Sequence, residues 1–284
     1  MEQILQLSKG FDYFTLALVA ALPRTYAFFD ASQLLNSSII PGAPRLAAII
    51  ALLFFLVPVN LEWAQSFDRS LTGYAVLFAK EYAIGFVLGT IVSMIFWALQ
   101  AAGDFIDNQR GTAIASSADP LRGEDSSSLG NLFTIAFTTY VFVSGSVLLL
   151  LGILYNSYMI WPVGKSLPVV SDAFPVFMLA ILDDGMKLMF NIAAPVIAVM
   201  FVAEFSLAII SRFAPQVQVF VLAMPIKSLL GVAILTTYFS IFYPFADRRL
   251  HELPKAEFRF YEILKLGEKL LRPLPDAPIE DDKR

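Results

Sequence analysis

The sequence predicts an all-α membrane protein, and three observations carry that prediction. Of its 284 residues, 57% are hydrophobic and only 15% are charged, whereas a soluble domain averages about 25% charged. Mean hydropathy is +0.69. The apolar residues gather in six segments, roughly 13–29, 46–59, 71–102, 132–160, 176–210 and 217–245, and a straight membrane crossing needs about 20 apolar residues. The net charge of −4 supplies no basic patch for nucleic acid. With no cysteine in the chain, a disulfide, a thiolate nucleophile and a Cys-based metal site are all excluded. The opening MEQILQLSKG lacks a basic n-region, and no A-x-A site follows, so the first segment reads as a retained helix rather than a cleaved signal peptide.

The segments are unequal. The second is short and bounded by Pro41, Pro44 and Pro58, which suggests a re-entrant or half-height element. The third, fourth and fifth exceed a simple span and are expected to tilt, kink or project from the bilayer. Pro195 is expected to split the fifth and Pro225 the sixth, with kinks at both. A tight turn at 212–216 joins these two into a helical hairpin. Beyond it, residues 246–284 hold nine acids and nine Lys/Arg. Residues 254–271 fit an amphipathic helix, and the Pro-containing end from 274 fits disorder. Arg248 and Arg249 directly follow the last apolar segment, which places the C-terminus in the cytoplasm by the positive-inside tendency.

Charges inside apolar segments are costly, so they pair or face water. Here they are Lys80 with Glu81, Asp183 and Asp184 with Lys187, Glu204, and Lys227. Asp183 and Lys187 have the spacing of a same-face ion pair. Lys80 and Glu81 are neighbours whose side chains diverge, so each is expected to need another partner. A proton or ion relay is the functional reading, and ion pairing is the plain one. An aspartic-protease pair at Asp183 and Asp184 fails because adjacent helical residues point about 100° apart. His251, the only histidine, cannot build a metal site or a Ser-His-Asp triad alone. No phosphate-binding glycine loop occurs. Catalytic, cofactor and metal sites are therefore expected to be absent. Gly85 and Gly89 form a GxxxG that lets helices approach closely.

One polar stretch interrupts the apolar pattern: residues 101–131, AAGDFIDNQRGTAIASSADPLRGEDSSSLGN. Irregular polar backbone at membrane depth survives only where protein or a water-filled cavity satisfies it. If helix continues into the stretch, Asp104, Asp107 and Arg110 share a face, with Asn108 and Gln109 between them and Gly111 as a stop. Asp119, Pro120 and the run Ser126, Ser127, Ser128 are loop signals. The residue pattern fits a solvated loop and the lining of a pathway equally well.

Two strings go further. AAGDFIDNQRG at 101–111 and SRFAPQVQVFVLAMPIKSLLG at 211–231 resemble the FliR/SpaR/SctT family of type III secretion export-gate proteins, over almost the whole chain. The form LAMPIKS is more similar to the injectisome branch than to the flagellar one. The resemblance implies a non-enzymatic, channel-forming subunit of long, kinked helical hairpins in a helical, pseudo-ring hetero-oligomer of the bacterial inner membrane, projecting to the periplasmic side. Implied partners are SctR/FliP-type and SctS/FliQ-type membrane subunits, the SctU/FlhB-type switch protein, the SctV/FlhA-type export-gate protein, membrane lipid and unfolded secreted proteins. It also implies a division into residues 1–175 (SctR/FliP-like), 176–245 (an SctS/FliQ-like hairpin) and a tail at 246–284. The loop at 104–131 would plug the closed gate, anchored by Asp104, Asp107 and Arg110. Gly85, Gly89, Pro215, Gln216, Pro225 and Lys227 would shape the hairpin and pack against neighbouring subunits. The competing reading is an ion-coupled secondary transporter using Lys80 and Glu81, or Asp183 and Asp184. Such transporters are built from inverted repeats, and the chain shows no convincing repeat.

Overall fold

The computed structural model describes residues 2–35, 40–67, 69–111, 127–166, 168, 171–214 and 219–271. Secondary structure among these residues is helical: α1 Glu2–Ala31, α2 Gly42–Leu53, a 3-10 turn Phe54–Leu56, α3 Val57–Ser66, α4 Leu71–Arg110, α5 Ser128–Val143, α6 Val147–Ile160, α7 Ala173–Phe213 and α8 Val219–Leu271.

Among the described residues, three helical runs are long and apolar enough to cross a membrane: Gly42–Ser66, Leu71–Arg110 and Ala173–Phe213. The pair α5 and α6 makes a fourth if its two bent halves count as one span. The second apolar segment is thus not half-height. Helix continues past residue 59 because Pro58 falls in the first turn of α3, where its missing N–H costs nothing. Buried Asn60 donates its side-chain amide to the Leu56 carbonyl, which satisfies the one strongly polar group on the inner face. At 40 and 41 residues, α4 and α7 are each about 60 Å long, twice the hydrocarbon thickness. Neither α7 at Pro195 nor α8 at Pro225 is interrupted, so the expected splits do not occur; a helix in apolar surroundings absorbs one missing N–H. The fourth segment does break. Ser144 ends α5, Gly145 takes φ +74, and α6 departs at 78°. Only glycine visits that left-handed conformation at low cost.

The chain divides into two compact units. One comprises Met1–Ile91, Leu151–Ala180 and Pro254–Arg284; the other comprises Val92–Leu150 and Ile181–Leu253. In the first, α1 is the central helix. Its buried residues Leu16, Ala17, Ala20, Ala21, Arg24, Thr25, Ala27 and Phe28 follow helical spacing. Leu16 and Ala17 pack with Val57 and Ala64 of α3. Gly85 and Gly89 of α4 face α1, with the Arg24 backbone against Gly85 and the Phe28 carbonyl 2.6 Å from where a Gly89 Cβ would lie. The GxxxG therefore brings two helices of the same chain into backbone contact. Gly85→Ala would drive a methyl into the Arg24 carbonyl. A destabilisation of about 1–3 kcal/mol is expected, visible as a lower unfolding temperature in detergent; an unchanged temperature would mean that α1 and α4 do not touch there.

In the second unit, Leu129, Phe133, Phe137 and Val141 form the buried stripe of α5, and Phe137 meets Phe96 of α4 edge-on at 4.7 Å. Helix α8 runs unbroken through residue 245 and on into residues 254–271, where an amphipathic helix was expected. Residues from 272 lie outside the described part.

Candidate functional site

Within the second unit, the described residues on either side of 112–126 meet. Helix continues from the apolar part of α4 to Arg110, and Gly111, at φ +88, stops it as the sequence suggests. Asp104, Asp107 and Arg110 thus share a face. Asp107 is the centre: its side chain is 3% exposed. One carboxylate oxygen binds the Arg110 guanidinium. The other accepts the Ser127 hydroxyl at 2.7 Å and the Leu129 backbone N–H at 2.9 Å. Ser127 in turn accepts the Gly130 N–H at 2.8 Å, the standard N-cap bond that opens a helix. One carboxylate therefore joins the end of α4 to the start of α5, across the fifteen residues 112–126.

Close backbone packing reinforces the junction. The Gly130 Cα stands 2.5 Å from where a Gly103 Cβ would be, and the Asp104 carboxylate fills the space a Gly130 Cβ would need. Two glycines are required because two helices and a carboxylate share that volume. The stem of Arg110 passes Gly231 of α8, its Cδ 3.4 Å from a Cβ built there, and Met224 lies beside Gly111. The end of α4 is thereby seated against α8 as well.

The other expected site residues scatter. Asn108 is exposed and Gln109 half-buried. Ser128 is the first residue of α5. Asp119, Pro120, Ser126, Pro215 and Gln216 lie outside the described residues. Lys227 of α8 pairs with Glu204 of α7 at 2.7 Å, so its charge is answered within the chain, and Pro225 is exposed. On α7, Lys187 pairs with Asp183 at 2.6 Å, all on an exposed face. No cluster of three or more metal-ligating side chains exists among the described residues.

In the first unit lies a buried polar network that the sequence reading missed. Arg24 is fully buried. Its Nε donates to Glu81 at 2.7 Å, Nη1 to the Ser157 hydroxyl at 3.1 Å and Nη2 to the Trp161 carbonyl at 2.9 Å. Its guanidinium also lies 4.2 Å from the centre of the Tyr158 ring. Lys80 reaches Glu81 at 3.1 Å and the carbonyls of Val163 and Lys165 at 2.5 and 2.8 Å. The expectation that Lys80 and Glu81 diverge is corrected here: the four-carbon lysine stem bends back to its neighbour. Glu81 Oε1 has no hydrogen-bond partner and meets only the Lys80 charge, while the Arg24 and Lys80 bonds to α4 and to residues 157–165 suit a structural tie. The available signal was Arg24 itself, a lone cation in an apolar segment.

The match to known proteins is extensive. Residues 15–253 match the model of the family described as bacterial export proteins, family 1. The chain is similar to the Yop proteins translocation protein T of Yersinia pestis, 36% identical over 76% of this chain and 83% of that one. It is similar to the surface presentation of antigens protein SpaR of Salmonella typhimurium, 31% identical over 81% and 86%. The flagellar biosynthetic protein FliR of Bacillus subtilis is 31% identical over 80% and 87%.

Proposed function

The chain belongs to the bacterial export proteins, family 1, and on that premise we propose that it is a non-enzymatic, channel-forming subunit of a type III secretion export apparatus. In this role it helps build and close the inner-membrane gate through which unfolded proteins leave the cell. The observation that carries this reading is the Asp107 clamp. A segment that must occlude a passage and yet be displaced needs fixed ends, and Asp107 holds both ends with charge-assisted bonds. Residues 112–126 would fill the closed passage, and opening would shift the population from filled to cleared. Asp104, Arg110 and the paired glycines 103 and 130 would set the base on which that segment stands.

The division into residues 1–175, 176–245 and 246–284, each built to meet a different neighbour, belongs to the same proposal. Its partners would be SctR/FliP-type and SctS/FliQ-type membrane subunits, with the SctU/FlhB-type and SctV/FlhA-type proteins at the cytoplasmic side. Arg248 and Arg249 favour a cytoplasmic C-terminus. Higher identity to the Yersinia translocation protein than to the Bacillus flagellar protein favours the injectisome branch. The transporter reading loses ground because Lys80 and Glu81 are each locked into fixed bonds.

The test replaces residues 113–125 with a short Gly/Ser linker and leaves Asp107 and Ser127 in place. The variant is expected to assemble with its membrane partners and to leak ions and small hydrophilic molecules. An assembled variant that seals as well as the native chain would overturn the gate reading.

A further inference from the structure

Residues 254–264 of α8 belong to the same compact unit as α1 and α6. Glu257, Phe260, Tyr261 and Leu264 form one helical face by their spacing of three, four and seven, and all four are buried. Lys255, Phe258, Arg259, Glu262 and Lys265 face outward. Phe260 packs on Phe174 and Phe177 at the start of α7, with ring centres 6.4 and 6.2 Å away. Helix packing accounts for the aromatic residues and Leu264. It does not account for Glu257, a carboxyl only 6% exposed whose Oε1 is sealed from solvent with no hydrogen-bond partner.

The groups around it offer no compensation. On its own helix, one turn away, is Tyr261, whose buried hydroxyl is turned to Ser157 rather than to the carboxyl. Arg24 of α1 acts on Tyr261 rather than on Glu257, and it is already committed to Glu81, Ser157 and the Trp161 carbonyl. From α6 comes the Ser157 hydroxyl, near Tyr261 and spent on the Leu154 carbonyl. The opening turns of α7 contribute aromatic rings. An ionised carboxylate held there would lose the hydration of its Oε1 without a hydrogen bond in return, whereas a neutral carboxyl loses far less.

We propose that Glu257 is a proton-binding site that latches this end of α8 into its unit: with the proton bound the segment is seated, and with the proton lost it is released.

The direction follows from linkage. Burial pushes the Glu257 carboxyl up to about 7, from about 4.3 in an open chain. Glu257 lies in the charged region beyond the last apolar segment, which ends near residue 245. The seated state holds the proton more tightly than the released one. Seating is therefore strongest below the open-chain value, weakens as pH rises past it, and levels off above about 7. The full change is about 500-fold in the seating equilibrium, of which about tenfold falls between pH 6 and 8.5.

Because the chain contains no cysteine, single thiols can report the latch in the full-length protein purified with its membrane partners. Leu264→Cys sits on the buried face, and Lys265→Cys is an exposed reference that cancels the thiol's own pH response. The ratio of their reactivities toward a neutral maleimide is expected to rise about tenfold from pH 6 to 8.5, and to stay low and flat in Glu257→Gln. If the glutamine variant fails to accumulate, Glu257→Leu gives the same comparison without a titratable group. A flat ratio in the native background, or an equal rise in the Gln or Leu variant, overturns the proposal.

Discussion

Arg24→Ala is expected to cost about 3–5 kcal/mol, the usual penalty for removing one partner of a buried ion pair. For a chain of marginal stability that is a large share of the total, so little folded protein should accumulate. The guanidinium reaches three different groups at 2.7–3.1 Å from a fully buried position. Without it, Glu81 keeps only Lys80, whose ammonium is already shared with the Val163 and Lys165 carbonyls. Arg24→Lys should fail nearly as badly, because one ammonium cannot span a fork of three acceptors. A double replacement, Arg24→Met with Glu81→Leu, should recover part of the loss by removing both charges together. Unfolding temperature and yield in detergent check all three. If Arg24→Ala melts with the native chain, the network is not what ties α1 to α4 and α6.

Asp107→Ala should produce the largest functional effect of any single substitution at the clamp. It would leave the buried Leu129 N–H without an acceptor, free the Ser127 hydroxyl and uncouple Arg110. An unsatisfied buried donor alone costs about 1–3 kcal/mol, and the loss falls on the joint between α4 and α5. Partner assembly should survive, since the apolar packing of Phe96 on Phe137 is untouched. The closed complex should leak as the loop-replaced variant does. Arg110→Ala should leak less, because the Ser127 and Leu129 bonds remain. Conductance or dye entry through the assembled complex measures both. Equal tightness of Asp107→Ala and the native chain would detach the clamp from gating.

The helical class, the long apolar runs and the Gly111 stop were legible because each rests on residues close in sequence. The Asp104–Arg110 face was equally visible, as a spacing of three. Ser127 was harder to single out: three consecutive serines could each begin a helix, and only the position of Asp107, twenty residues earlier, selects one. Pro58 misled because its cost depends on where in a helix it falls, and here it falls in the first turn. Pro195 misled because apolar surroundings support a helix through one missing bond. The break at Gly145 was hidden inside an apolar run, where hydropathy carries no signal for direction.

By itself the sequence determined that this protein is helical, built for an apolar environment, free of cysteine chemistry, and a member of an export family by two long strings. Composition, periodicity and capping act over a few residues, so one strand of text records them. Only the tertiary structure decided that Arg24 meets Glu81, that Asp107 joins the end of α4 to the start of α5, and that Glu257 is buried with its Oε1 unpartnered. Those outcomes depend on which helix faces come together across tens of residues. A buried charge is costly or harmless according to those faces alone.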